Sequence, residues 1–137
     1  MISRADFPRL TDQNHQITSP SSWQYNCVAW AAGDSSRWWE PRSFWPVEHE
    51  SDFGLAALER AFHALGFQTA TDGSLVPGVE KIALYVHSTF WTHVARQLPN
   101  GVWSSKLGGM EDIEHRAPEH VAGGVYGEVA GFMMRMR

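Results

Sequence analysis

The chain has 137 residues, 43% of them hydrophobic and 19% charged, with a formal net charge of −4. These values fit one folded domain over residues 1–137 and exclude a disordered chain or a coiled coil. With no cluster of Lys and Arg the chain offers no electrostatic grip on nucleic acid, and its one cysteine makes no internal disulfide.

Residues 1–18 are polar and mixed and read as a lead-in arm with one turn of helix at most. No apolar stretch there has signal-peptide length, and no later segment approaches membrane-spanning length. The expectation is therefore a soluble, cytoplasmic protein with no membrane partner, export by a route without a cleaved signal staying open. Ser19 to Gly33 follows, with helix-capping Ser residues and Pro20 ahead of the apolar run Val28 to Ala32, so a short helix with Cys27 in or near its first turn is predicted. Asp34 to Pro46 holds two prolines and four large aromatics and reads as a loop. Trp38 and Trp39 in it are candidates for a cleft wall, with rings that pack back onto the domain an equal reading. Ser51-Asp52 looks like the cap of a second helix that stops at Gly66. Beyond it the pattern changes to strands: a short one at Phe67 to Ala70, then Lys81 to Val86, Thr92 to Leu98 and Val102 to Lys106, the last two joined by the turn Pro99-Asn100-Gly101. Glu111 to Val121 is polar and reads as one or two helical turns, and Val125 to Met134 as a closing strand. Helices first and an antiparallel sheet after them make an α+β domain.

Cys27 is the residue with the most chemistry. A helix N-terminus favours thiolate over thiol through its unpaired N–H groups and its dipole, although a lone Cys is more often a small buried hydrophobe. A thiolate nucleophile needs a base, and the base needs a third group to fix its tautomer. His93 opens a predicted strand, and a strand end facing a helix start is a rigid way to hold two side chains about 3 to 4 Å apart. No glycine-rich phosphate loop follows a strand, and His115 and His120 are five apart, a spacing that suits neither a helix face nor a finger, so no cofactor and no metal are expected.

Helix-borne Cys27 followed by the hairpin His93-Val94-Ala95-Arg96-Gln97-Leu98-Pro99-Asn100-Gly101-Val102-Trp103-Ser104-Ser105 resembles the papain-like superfamily in its compact bacterial NlpC/P60 and CHAP-type versions. The resemblance implies a papain-like fold with N-terminal helices packed on an antiparallel β-sheet, Cys27 as nucleophile and His93 as base. Counting through the hairpin puts the third catalytic position on Ser105, where the family usually has His, Asn, Gln or an acid. The Asp-Cys-Ser-Gly type motif is Asn26-Cys27-Val28-Ala29 here. Asp112 and His115 are alternatives for the orienting role, with a solvated polar helix as the plainer reading. Gln24 or Asn26 can join the Cys27 backbone N–H in holding an oxyanion, Asn26 being equally a helix cap, and Lys106 is a candidate contact for an anionic substrate group or simply a surface lysine. The segments Asn26 to Ala31 and Ser105 to Gly108 also resemble those of small uncharacterised bacterial proteins, which implies no activity.

The first reading is a thiol hydrolase that cleaves an amide bond (peptide, isopeptide or peptidoglycan-type) in a peptide or protein substrate through an acyl-enzyme on Cys27. The same machinery serves a glutamine deamidase or toxin effector. A second reading, from another class, is a non-catalytic protein-interaction module with the Trp-rich loop as its partner surface.

Overall fold

A computed structural model describes residues 2–137. The apolar run expected as a strand forms β3 (Val79–His87), and it is buried on both faces because both faces of the sheet are covered. Ile82 and Leu84 point to one side, where Val28, Ala29 and Ala31 of helix α1 (Cys27–Ala31) and Leu58 and Phe62 of helix α2 (Leu55–Ala64) pack on them. Ala83 and Tyr85 point to the other, under Phe7 and Leu10 of the N-terminal arm and Val121 and Ala122. Fully burying a side chain the size of Leu58 or Phe62 is worth about 1.5–3 kcal/mol, so these two small clusters hold the layers together.

The sheet has seven strands in the order β1-β6-β5-β4-β3-β7-β2, and every pairing between them is antiparallel. The remaining strands are β1 (His15–Ser19), β2 (Gln68–Ala70), β4 (Phe90–Gln97), β5 (Trp103–Lys106), β6 (Asp112–His115) and β7 (Glu128–Met136). One turn of 3-10 helix, Pro118–Val121, follows β6.

This architecture corrects the expected papain-like arrangement. The domain is mainly a seven-stranded sheet, its first element is a strand, and its helices have only 5 and 10 residues. The lead-in arm ends in β1, an edge strand whose three central residues are exposed, so it carries no apolar periodicity to reveal it. The polar segment taken for helical turns contains β6, whose Asp112 and His115 are buried yet hydrogen-bonded, which is how charged or polar residues come to sit in an interior strand. Helix α2 is capped by Gly54 and not by Ser51-Asp52: Asp52 Oδ1 accepts the Gly54 N–H at 3.0 Å, while Trp91 N–H donates to Phe53 O at 2.8 Å and draws the helix start onto β4. No helix among the described residues is long and apolar enough to cross a membrane.

β3 meets an extra residue on each side at the level of Tyr85. Thr92 is unpaired between Trp91 and His93 in β4, and Ala130 between Val129 and Gly131 in β7. Such bulges twist a strand and re-aim its side chains. They flank the polar cluster described next.

Candidate functional site

Helix α1 begins where Asn26 accepts the Ala29 N–H through Oδ1 at 3.2 Å. The same amide also accepts the Trp39 N–H at 3.2 Å and donates to Trp39 O at 2.8 Å, which stitches the aromatic loop to the helix start. Asn26 thus works as a cap and a clamp. Cys27, 5% exposed, belongs to the apolar cluster on the α1 side of the sheet that includes Val28, Leu84 and Val94. Burial pushes its thiol up to about 11, against the opposing pull of three backbone N–H groups, those of Val94, Val28 and Cys27 itself, and weakly of the Lys106 charge.

His93 lies one residue before Val94, and its side chain leaves the opposite face of β4. Its register partner is Tyr85, whose ring meets it edge-on with centroids 5.0 Å apart, and Tyr126 stacks flat on it at 4.1 Å and 7°. Thr92 Oγ1 donates to Tyr126 O at 2.6 Å and so ties the bulge to that ring. His93 Nε2 is 2.9 Å from Ser105 Oγ, Ser105 Oγ is 2.7 Å from His115 Nε2, and His115 Nδ1 is 2.8 Å from Ala117 O. All three side chains are inside the protein, and His93 Nδ1 is buried with no hydrogen-bond partner. Burial holds both imidazoles below their ordinary value, His115 down to about 4 and His93 well below 6.5.

The structure therefore joins His93 to Ser105 at the position counted through the hairpin, and puts His115 behind Ser105. Cys27 is not hydrogen-bonded to His93: one imidazole nitrogen is taken by Ser105 and the other has no partner. Val94, whose backbone N–H pulls on the thiol, follows His93 directly in the chain, and a charge on Cys27 would push up the phenol of Tyr126, the ring that covers His93, after the larger effect of burial. Asp112 does not reach the imidazole; its Oδ2 accepts the Tyr25 hydroxyl at 2.6 Å. Lys106 is fully buried, not a surface lysine, and donates to Ser22 O at 2.8 Å and to Gly108 O, which pins the loop before α1 to the loop after β5. Gln24 is exposed, with one long contact to Ser36 O. Trp39 is buried against Phe44 and donates to Asp34 Oδ2 at 2.8 Å, whereas Trp38 is half-buried under Trp23, which is 78% exposed and stacks on it at 5.8 Å. Four surface cavities, one of about 510 Å³ beside Phe7 and His15, have neither Cys27 nor His93 in their walls.

Tyr85 and Tyr126 were not marked by the sequence as site residues. Tyr85 had a signal, since it sits directly across from His93 in any hairpin register that pairs Leu84 with Val94. Tyr126 had none, because it precedes β7 and arrives through a loop.

Among the described residues no three His, Cys, Asp or Glu gather as a metal site. No curated protein and no solved structure shows significant similarity to the chain. A family profile described as a domain of unknown function, DUF7689, matches residues 16–134, and the chain belongs to that family.

Proposed function

We propose that the protein is a thiol hydrolase that opens an amide bond in a peptide or protein substrate, in the manner of the papain-like hydrolases that the Cys27 and His93 segments resemble in chemistry though not in fold. The observation that carries this reading is the place of Cys27 as the first residue of α1, next to its Asn26 cap, where the pull of nearby backbone N–H groups opposes burial without overcoming it. Because burial keeps the thiol protonated at neutral pH, the sulfur attacks only with a base at hand. His93 Nδ1 is that base: the S–H proton forms an N–H bond there as sulfur adds to the carbonyl carbon, and the departing amine takes the proton when the acyl-enzyme forms. The sulfur lies with Val94 on the α1 side of β4 and the imidazole lies on the other side, so the reading requires β4 to rearrange around the Thr92 bulge before the two meet.

The test treats the native protein with iodoacetamide and with a peptide vinyl sulfone and locates the adduct by mass spectrometry. The expected result is a Cys27 adduct with the peptide probe that is lost in His93→Ala, with the far-ultraviolet spectrum unchanged. A native Cys27 that neither reagent touches, while urea-unfolded protein is alkylated, would overturn the proposal. The second reading, a protein-interaction module, then takes its place; it is favoured by Trp23, an exposed ring stacked on Trp38 beside the α1 loop.

A further inference from the structure

We infer that His115 is a positioning residue that acts through the Ser105 hydroxyl to fix His93 as its Nε2–H tautomer, so that Nδ1 carries a bare lone pair able to take a proton. The argument begins at the far end of the chain of hydrogen bonds. Ala117 O accepts and cannot donate, so the hydrogen of the 2.8 Å contact belongs to His115 Nδ1. A neutral imidazole carries one N–H, hence His115 Nε2 is bare and takes the Ser105 hydroxyl proton across 2.7 Å. That hydroxyl has spent its only hydrogen, so towards His93 it accepts, and the hydrogen of the 2.9 Å contact sits on His93 Nε2. Nδ1 of His93 is therefore unprotonated.

Nothing else competes for these protons. His93 and Ser105 are fully buried and His115 is 1% exposed, so bulk water does not substitute for any link. Both imidazoles are held neutral by burial, as the argument requires. Tyr126 and Tyr85 clamp the His93 ring from its face and edge and stop it from turning over to exchange its nitrogens. An acceptor left buried and unpaired costs about 1–3 kcal/mol, so a structure that orients three groups to leave His93 Nδ1 bare keeps a destabilising feature that proton abstraction would use. A serine alone is a poor orienter because its hydroxyl donates or accepts with equal ease; His115 removes that freedom. When Nδ1 takes a proton, the imidazolium keeps its Nε2–H bond to Ser105 Oγ, and no further transfer is needed.

The tautomer assignment stands on geometry alone, and only its use in catalysis rests on the hydrolase reading. The test is long-range proton–nitrogen correlation spectroscopy on uniformly ¹⁵N-labelled full-length protein near neutral pH. Wild type should show His93 as Nε2–H and His115 as Nδ1–H. In His115→Leu the Ser105 hydroxyl loses its acceptor and turns to donate to His93 Nε2, so His93 should switch to Nδ1–H and adduct formation at Cys27 with the peptide vinyl sulfone should fall at least about tenfold, as loss of a base does. His115→Gln, whose amide can accept from Ser105 and donate to Ala117 O, should restore both signals. Finding His93 as Nδ1–H in wild type, or unchanged in a folded His115→Leu, overturns the inference, and the wild-type spectrum decides it alone if that variant does not fold. Expected tautomers with an unreactive Cys27 would leave the positioning role intact and remove the hydrolase reading; a reactive Cys27 with the opposite tautomer would do the reverse.

Discussion

Alkaline pH should destabilise the protein through Cys27, and Cys27→Ala should isolate that effect. Burial raises the thiol from 9.0 to about 11, so between those values the folded protein keeps a proton that the unfolded chain has released. The resulting stability is fully present below pH 9 and is lost as pH rises through about 11. At 1.36 kcal/mol per pKa unit the ceiling is about 3 kcal/mol, and about 2 kcal/mol should be gone when the pH reaches the folded-state value. The alanine variant pays a loss of core packing of about 1 kcal/mol or more that does not change with pH. Alkaline titration of the buried Tyr85 phenol is common to both proteins, and that of Tyr126, raised mainly by burial, differs between them only by the push of the Cys27 charge, so the difference between them reports the thiol and its coupling to Tyr126. Urea-unfolding free energies measured at several pH values across the window should show the gap between wild type and variant closing by about 2 kcal/mol. A gap that stays constant to within about 0.5 kcal/mol would mean that water reaches the sulfur in the folded state, and the account of Cys27 as a desolvated thiol would be wrong.

Ser105→Ala leaves two buried imidazole nitrogens without partners and should cost about 2–4 kcal/mol in urea unfolding; a cost below about 0.5 kcal/mol would show that the chain from His93 to Ala117 is not formed. On the acid side, His115 is held neutral to about 4 while the unfolded chain takes up the proton below 6.5, so stability should be lost progressively as pH falls between these values, by about 3 kcal/mol, and less steeply in His115→Gln. Asn26→Ala removes the cap of α1 and both links to Trp39 and should cost about 2–3 kcal/mol, with a blue-shifted or broadened tryptophan fluorescence change if the aromatic loop comes loose. Gly127→Ala places a methyl group on the Val86 carbonyl at a positive φ of 68°, and should lower the thermal midpoint far more than the same change at Gly131, where a Cβ meets nothing within 4 Å.

The pairing of His93 with Ser105 could be read from the chain because a hairpin with a turn at Asn100-Gly101 fixes its register, and register fixes which residues share a face. Cys27 at a helix start was legible for a similar reason: Ser, Pro and Asn26 precede a run of small apolar residues. What stayed hidden were the places where polar residues are made apolar-compatible by distant partners. Lys106 reads as a surface residue until Ser22 O and Gly108 O are seen to hold its ammonium, and Asp112 and His115 read as a solvated helix until Tyr25 and Ser105 supply their bonds. β1 was hidden for the opposite reason, since a strand at the edge of a sheet needs little buried surface of its own.

The position of β7 sets an order of events for the nascent chain. It is near the C-terminal end in sequence but interior in space, lying between β3 and β2. A ribosome-bound chain that has emerged only as far as Tyr126 presents β3 with one long side unpaired, and β2 with no neighbour. The β3–β4–β5 hairpins can form early, because their contacts are local, but the apolar edge of β3 must wait for the last strand. During that interval it is a template for any other extended segment, and the half-made sheet should be the species that chaperones bind and that aggregates when they are scarce.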